Sequence, residues 1–164
     1  MNRGKVTDKL LFTALYVAAA VVAVWGARQA TNAVLDIRFY QDFLLPWQAG
    51  LLTLRLQAPE MPAYHKEAPQ EYMNALVAHM RLHGVAYPAS NTEHPFIYDL
   101  NKFGERARRI LMVFNGGRMV LYGLPPATFD RLDGVIDGRR DPARGDFTGS
   151  WSADQVSRIA QWKL

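Results

Sequence analysis

LLFTALYVAAAVVAVWGA, residues 10–27, is the stretch of sequence that decides how the rest of the chain is arranged. It contains no charged residue, and at about 1.5 Å per residue a helix of this length spans about 27 Å, close to the hydrocarbon thickness of a bilayer. Trp25 lies near its end, where an indole ring favours the membrane interface. We predict one membrane-spanning helix, with a cleaved signal peptide and a buried soluble helix as the alternatives.

Basic residues flank this apolar stretch unequally. Arg3, Lys5 and Lys9 precede it, whereas Arg28 and, further on, Arg38 follow it. Because positive charge is retained on the cytoplasmic side of a membrane, the bias predicts a cytoplasmic N-terminus and an exported C-terminal domain. We therefore expect the protein in the inner (cell) membrane, with its C-terminal domain in the periplasm or outside the cell.

The remainder of the chain is long enough for one domain with a hydrophobic core. The predicted organisation has four parts: a short basic tail (1–9), the membrane helix (10–27), a juxtamembrane helix (28–47) and an exported globular domain (48–164). Charged residues make up 21% of the sequence, which argues against general disorder. The absence of cysteine excludes disulfides, thiolate metal sites and a cysteine nucleophile.

The net charge of +4 suits nucleic acid, anionic lipid or an acidic partner. Several of the positive residues flank the apolar stretch, where membrane topology explains them, so we expect no nucleic-acid partner. The densest basic patch elsewhere is formed by Lys102, Arg106, Arg108 and Arg109, with Glu105 among them. This patch is explained either as a solvated strand end or as a docking surface for an acidic partner or for lipid headgroups.

Aromatic residues crowd the segment that follows the apolar stretch. Phe39, Phe43 and Trp47 recur at about one helical turn, so we expect a helix that continues out of the membrane. Such side chains lie along the bilayer surface, pack on a partner's membrane helices or belong to the domain core. We assign them to partner binding, together with Ala14 and Ala18, whose small side chains allow another membrane helix to approach closely.

Hydropathy patterns in the globular part predict short strands and helices. Apolar and polar residues alternate over 51–56, which is typical of a half-buried strand. Helical spacing follows Pro69 and ends at Gly84, so we predict a helix over 70–83. Further strands are predicted at 96–98, 108–114 and 118–122.

Turn and capping residues complete the prediction. Asn115-Gly116 favours a type I′ hairpin in which Asn115 and Gly116 both have positive φ. The proline pair at 125–126 starts another helix, and Ser152 with Gln155 three residues later predicts a final helix through a capping box. The expected fold is α+β, a single N-terminal transmembrane helix followed by a small antiparallel-rich sheet with helices packed on it. A ferredoxin-like split arrangement is one candidate.

Two histidines are the strongest candidates for chemistry. His79 and His83 share one face of the predicted helix, a spacing that can bind a metal. The zinc-protease pattern needs glutamate where Met80 stands, and His65 or His94 would have to supply a third ligand from a loop. We therefore expect no metal site, no cofactor and no catalytic residue, since no nucleophile elbow or phosphate-binding loop is present either.

These observations favour a non-enzymatic, single-pass accessory or assembly subunit of a larger envelope membrane complex. That complex would be a secretion, conjugation, pilus or energy-transducing machinery, and the partners would be other membrane protein subunits and the lipid bilayer. A membrane-tethered enzyme or metal-binding domain that uses His79 and His83 is the first alternative. A module that binds cell wall or lipid is the second.

Overall fold

A computed structural model describes residues 3–58 and 60–164, with side chains described from residue 9 onward. The helices are α1 (Arg3–Arg38), α2 (Leu45–Gln57), α3 (Pro69–Leu82) and α4 (Pro126–Ile136). The strands are β1 (Ile97–Leu100), β2 (Arg108–Asn115), β3 (Arg118–Leu124), β4 (Phe147–Trp151) and β5 (Arg158–Lys163). A π-helical segment, Phe39–Leu44, joins α1 to α2, so the backbone is helical from residue 3 to residue 57.

The long N-terminal helix has a free part and a packed part. Every side chain from residue 9 to residue 27 is exposed, whereas buried positions begin to recur after Arg28. The most apolar window of the helical segment Lys9–Gln57 has a mean hydropathy of 2.1 and is 0% buried. This helix is therefore long and apolar enough to cross a membrane, as the sequence predicts.

Pro46 does not end the helix. The backbone N–H of Leu45 donates to the carbonyl oxygen of Tyr40, five residues back, as expected of a π turn. A proline ring in a regular helix collides with the carbonyl four residues back, and the wider π turn immediately before Pro46 relieves that collision. The helix consequently runs on to Gln57.

The strand predicted over 51–56 is wrong, because this segment belongs to α2. Leu51 and Leu54 are fully buried, whereas Leu52 and Leu56 are exposed, the latter by 88%. This burial repeats with a helical period and continues the spacing of the buried aromatic residues before it. The helix predicted over 70–83 is confirmed by α3, and its boundaries differ by one residue at each end.

The five strands form one sheet in the order β1-β2-β3-β5-β4, and every neighbouring pair is antiparallel. The predicted α+β class, with one long apolar helix before an antiparallel sheet with helices, is confirmed. The ferredoxin-like arrangement is not found, because the strands follow one another by hairpins except for the exchange of β4 and β5.

The β2–β3 hairpin lies where the sequence predicts it, but its two-residue loop is shifted by one position. Asn115 pairs with Arg118, so Gly116 and Gly117 form the loop. Both glycines have positive φ, 56° and 80°, whereas Asn115 does not. A Gly-Gly loop meets the type I′ requirement without placing a side chain in the left-handed region, which explains the shift.

The final helix predicted from Ser152 is also wrong, because β4 and β5 form a hairpin there. Ser152 closes the hairpin loop instead of capping a helix: its N–H donates to the Ser157 carbonyl oxygen at 2.9 Å, and its Oγ donates to the same oxygen at 2.8 Å. Along β5, Ala160 and Trp162 are buried and alternate with more exposed neighbours. That period of two is a strand pattern, and it outweighs the capping-box match.

The sheet packs one face against the helices. The Tyr98 ring lies 4.9 Å from Phe39 and 5.0 Å from Phe43, measured between ring centroids. At the other side of the same face, α4 places Phe129 against Phe147, with ring centroids 5.1 Å apart. The opposite face remains partly open, and a groove described below occupies it.

Candidate functional site

Three polar residues at four-residue spacing on α1, Arg28, Asn32 and Asp36, contact the domain directly after the free part of the helix. Residues four apart share one face of a helix, so the three form a single stripe. The stripe meets the turn at 102–105, which joins β1 to β2, and also Arg131 of α4. We call these groups together the helix–domain junction.

Asp36 is the centre of the junction and is fully buried. Lys102 Nζ lies 2.9 Å from both of its carboxylate oxygens, and the Arg131 guanidinium donates to it from α4. Lys102 is itself only 8% exposed. A buried carboxylate is costly unless cations and hydrogen bonds surround it, and here the two cations come from two different elements. Asp36 therefore ties α1 to the β1–β2 turn and to α4 simultaneously.

Asn32 holds the backbone of the same turn. Its Oδ1 accepts the Phe103 N–H at 2.8 Å, and its Nδ2 lies 3.3 Å from the Phe103 carbonyl oxygen. The same Nδ2 also donates to Glu105 Oε1 at 3.3 Å. An amide that pairs with both backbone groups of one residue fixes that residue more firmly than a single contact does.

Arg28 completes the stripe at the end of the free helix. Its Nη2 donates to the Gly104 carbonyl oxygen at 3.1 Å and lies 3.8 Å from the Glu105 carboxylate. Gly104 has φ +73°, and a Cβ there would lie 3.1 Å from the Arg28 guanidinium carbon. Glycine thus permits both the left-handed turn and the close approach to the helix.

The junction connects α1 firmly to the β1–β2 turn and to α4, and its side chains serve as structural contacts. Its members are charge-paired or hydrogen-bonded, and they fix the angle at which the helix enters the domain. Local sequence patterns do not single out this stripe, although Arg28, Asn32 and Asp36 are polar residues at a strict four-residue interval. The partners, Lys102 and Arg131, are distant in sequence, so only the fold reveals the site.

The aromatic residues assigned to partner binding belong to the core. Phe39, Phe43 and Trp47 are all fully buried. Trp47 Nε1 also donates to the Pro95 carbonyl oxygen at 3.1 Å, which satisfies its only polar group. Of the three locations considered for these rings, the structure shows the domain core: Tyr98 of the sheet packs against Phe39 and Phe43, and Tyr87 packs against Trp47.

Ala14 and Ala18 lie elsewhere, on the free part of α1, and both are exposed. They are separated by one helical turn and therefore share a face. The helix around them carries large exposed apolar side chains, among them Leu11 and Leu15. Their surroundings suit a bilayer or another helix.

His79 near the end of α3 and His83 directly after it have no third candidate metal ligand beside them among the described residues. The His79 and His83 rings lie 4.5 Å apart between centroids. His94 instead stacks on Phe96, with centroids 5.6 Å apart. Within residues 9–58 and 60–164, no group of three His, Cys, Asp or Glu side chains is arranged to hold a metal ion. The expectation of no metal site stays a prediction that elemental analysis can test.

The basic patch predicted around residue 105 separates into different roles. Lys102 is buried against Asp36, as described above. Arg109 pairs on the surface with Asp99 at 2.9 Å, and this hydrogen bond lowers the pKa of the Asp99 carboxyl. Arg106 and Arg108 remain exposed. Only these last two stay available to an acidic or anionic partner.

A groove of about 1070 Å³ lies on the open face of the sheet. Its floor and walls combine apolar and basic side chains, among them Leu111, Val120, Ile159, Tyr122, Lys66 and Arg118. Burial, and secondarily the neighbouring Tyr64, raises the pKa of Tyr122, so this phenol stays neutral and able to donate. Arg118 Nη1 donates to Gln161 Oε1 at 3.0 Å. No carboxylate side chain lines the part of the groove that the structure describes.

Comparison with protein-family models, with curated proteins and with solved structures finds no match for this chain. Similarity therefore assigns no family and no activity. Three features of the molecule bear on its function: the free apolar helix, the helix–domain junction and the groove on the open sheet face.

Proposed function

We propose that this protein is a non-enzymatic, single-pass membrane accessory or assembly subunit of a larger envelope complex. The observation that carries the proposal is the continuity of the N-terminal helix, which passes from an exposed apolar segment into the domain core without a break. The helix–domain junction fixes this continuity with a buried ion cluster. A flexible tether would suffice to hold an enzyme near a membrane, whereas a fixed helix positions a domain relative to other subunits.

The proposed partners are other membrane proteins, in a secretion, conjugation, pilus or energy-transducing machinery. Lipid tails are as apolar as leucine, so specific association of membrane helices depends on close packing at small residues. Ala14 and Ala18 are separated by about 40° around the helix, whereas Tyr16 lies about 200° from Ala14, on the opposite side. The alanine side is therefore the proposed partner face.

Site-specific photo-crosslinking in cells tests this face. A photoreactive residue is placed at Ala18 or, as the matched control, at Tyr16, which is equally exposed within the free helix. We expect a discrete crosslinked membrane protein from position 18 and from position 14, and none from position 16. Crosslinks that are equal on both sides, or a purified chain that is monomeric and catalytically active by itself, would contradict the proposal.

The proposed topology places the N-terminus in the cytoplasm and the domain in the periplasm or outside the cell. A C-terminal alkaline phosphatase fusion should therefore be active, and a C-terminal fluorescent protein that matures only in the cytoplasm should stay dark. An inactive phosphatase fusion together with a bright fluorescent fusion would show that the domain lies in the cytoplasm, which is the opposite orientation. The basic flank of the apolar stretch is the physical basis of this expectation.

The groove on the open sheet face favours a second candidate function, a module that binds an envelope ligand such as cell wall or lipid. Apolar floor residues and a positive rim suit a ligand that has both an apolar and an anionic part. Replacing Val120 by Trp would fill the groove from a central strand. If the groove binds a ligand, this variant should fold but lose binding to isolated envelope material.

A further inference from the structure

The turn at 102–105 presents a large apolar side chain to the outside at the membrane end of the domain. Phe103 is 62% exposed, although it follows a buried lysine and precedes a fixed glycine. The Glu105 N–H donates to the Lys102 carbonyl oxygen at 3.2 Å, which closes the turn with Phe103 and Gly104 at its centre. A single exposed phenylalanine is common on protein surfaces, so the significance of Phe103 depends on where the turn places it.

The backbone of this turn is built onto α1 and follows it toward the free helix. Lys102 contacts Asp36, Phe103 contacts Asn32, and Gly104 contacts Arg28. Successive residues of the turn thus meet successively earlier turns of α1. The turn therefore descends along the helix toward the apolar segment that ends at Ala27.

The height of the turn matches the headgroup layer of a bilayer. Asn32 lies five residues beyond Ala27, or about 7.5 Å along the helix axis. The headgroup region adds about 5–7 Å on each side of the hydrocarbon core. Asn32 holds the Phe103 backbone at this height, so if α1 spans the membrane, the exposed Phe103 side chain lies within reach of the outer boundary of that layer.

Charges around the turn suit lipid headgroups. Arg106, one residue beyond the turn, is exposed and makes no ion pair within the described part of the chain, and Arg28 is about two-fifths exposed. The only carboxylate of the turn, Glu105, is shared between Arg28 and Asn32. An apolar tip beside an exposed cation, here Arg106, is a combination that binds the interface of an anionic bilayer.

We propose that residues 102–106 form a second membrane contact, in which Phe103 enters the headgroup layer of the same bilayer that α1 spans. This inference rests on the proposed function, since it requires α1 to be in the membrane. One helix alone leaves the domain free to tilt and to rotate about the helix axis. A second contact beside the helix fixes both, and it gives the groove on the sheet a constant direction relative to the membrane.

Single-cysteine labelling of the full-length protein tests this contact, and the absence of native cysteine makes it direct. An environment-sensitive fluorophore is attached at Phe103→Cys, at Val24→Cys within the apolar helix, or at Asn115→Cys beside the far hairpin. The protein is reconstituted in vesicles of phosphatidylcholine and phosphatidylglycerol, with or without headgroup-attached nitroxide lipid. We expect nitroxide quenching at position 103, and no quenching at position 115.

The reference position separates the two hypotheses. A label at position 24 that shifts to the blue in vesicles, with position 103 behaving like 115, overturns the second contact but leaves the membrane helix in place. A label at position 24 that stays in a water-like environment overturns the membrane helix itself, and with it the proposed function.

A label placed at Arg106→Cys keeps Phe103 available for substitution. We expect its quenching to be lost in Phe103→Ser and retained in Phe103→Leu, because leucine restores an apolar tip without restoring the ring. Equal quenching in both variants would show that Phe103 is not the group that enters the bilayer.

Discussion

At the scale of single residues, burial decides which polar groups matter. Asp36 and Asp133 are both fully buried, but their surroundings differ. Asp36 is held between two cations, whereas Asp133 accepts one backbone N–H, from Asp141 at 2.6 Å, and has three further aspartates near it. Two cations lie against the first carboxylate, whereas burial without a cation raises the pKa of the second above its ordinary value.

Replacing Asp36 by Ala should strongly destabilise the domain. The substitution leaves Lys102 and Arg131 facing a buried site without their counter-ion, and breaking such a cluster costs about 3–5 kcal/mol. Denaturant unfolding of the detergent-solubilised protein measures the loss. The matched control is Asp99→Ala, which removes an exposed pair and should leave the midpoint nearly unchanged. Equal midpoints for the two variants would refute the central role of Asp36.

Replacing Asp133 by Asn should stabilise the protein at neutral pH. Burial, as the largest cause, raises the pKa of the Asp133 carboxyl above its ordinary value of 3.8, so the folded state binds this proton more tightly than the unfolded state does. The corresponding stability is present below the unfolded pKa and is lost as pH rises through the folded pKa. Asparagine keeps the acceptor for the Asp141 N–H without ionising. Melting curves from about pH 4 to pH 8 should therefore show a flatter pH dependence in the variant; an unchanged slope would contradict this.

At the scale of elements, local patterns predicted the fold where no competing pattern was present. The α3 helix follows from helical spacing between Pro69 and Gly84, and the β2 strand follows from its run of apolar residues. Residues 51–56 are predicted as a strand because apolar and polar residues alternate there, but they form a helix. Residues 152–163 are predicted as a helix because Ser152 and Gln155 match a capping box, but they belong to a hairpin. Burial in the core distinguishes the two classes: Leu51 and Leu54 are buried with helical spacing, whereas Ala160 and Trp162 are buried with the period of a strand.

Core aromatic residues give a prediction at this scale. Phe43→Ala or Trp47→Ala should lower the stability of the domain by about 3–5 kcal/mol, because each leaves a large cavity. Phe12→Ala, in the free part of α1, should leave the melting of the domain unchanged. Detergent-solubilised variants can be compared by near-ultraviolet circular dichroism. A normal melt of Trp47→Ala would restore the partner-binding role that its burial opposes.

Substitution by alanine should destabilise the protein to different degrees at Gly116, in the β2–β3 loop, and at Gly123, within β3. Gly116 and Gly123 both have positive φ, but a Cβ at Gly116 meets open space, whereas one at Gly123 would lie 2.6 Å from the Arg109 carbonyl oxygen. Left-handed backbone costs a non-glycine residue about 1–2 kcal/mol. Gly116→Ala should therefore lose about this amount, and Gly123→Ala should lose clearly more. Equal losses in thermal melting would show that the contact with Arg109 relaxes without cost.

At the scale of the whole molecule, the apolar stretch at 10–27 predicts a helix long and apolar enough to cross a membrane, because a bilayer imposes a minimum length, and the structure contains such a helix. The junction was not predictable in the same way, since its partners lie more than sixty residues apart along the chain. Phe39, Phe43 and Trp47, which the sequence suggested as partner-binding residues, are buried in the core where the candidate membrane helix continues into the domain. The contacts of the helix–domain junction thus hold α1 at a fixed angle to the domain, and we call this arrangement the fixed support.

The distance between the apolar helix and the far end of the sheet tests this fixed support most directly. Spin labels at Val24→Cys and Asn115→Cys, in full-length protein within lipid nanodiscs, report that distance by pulsed electron paramagnetic resonance. We predict one narrow distance distribution, which broadens when Asp36→Ala is added. A broad distribution in the otherwise native chain would show that the helix and the domain move independently, and it would contradict the fixed support.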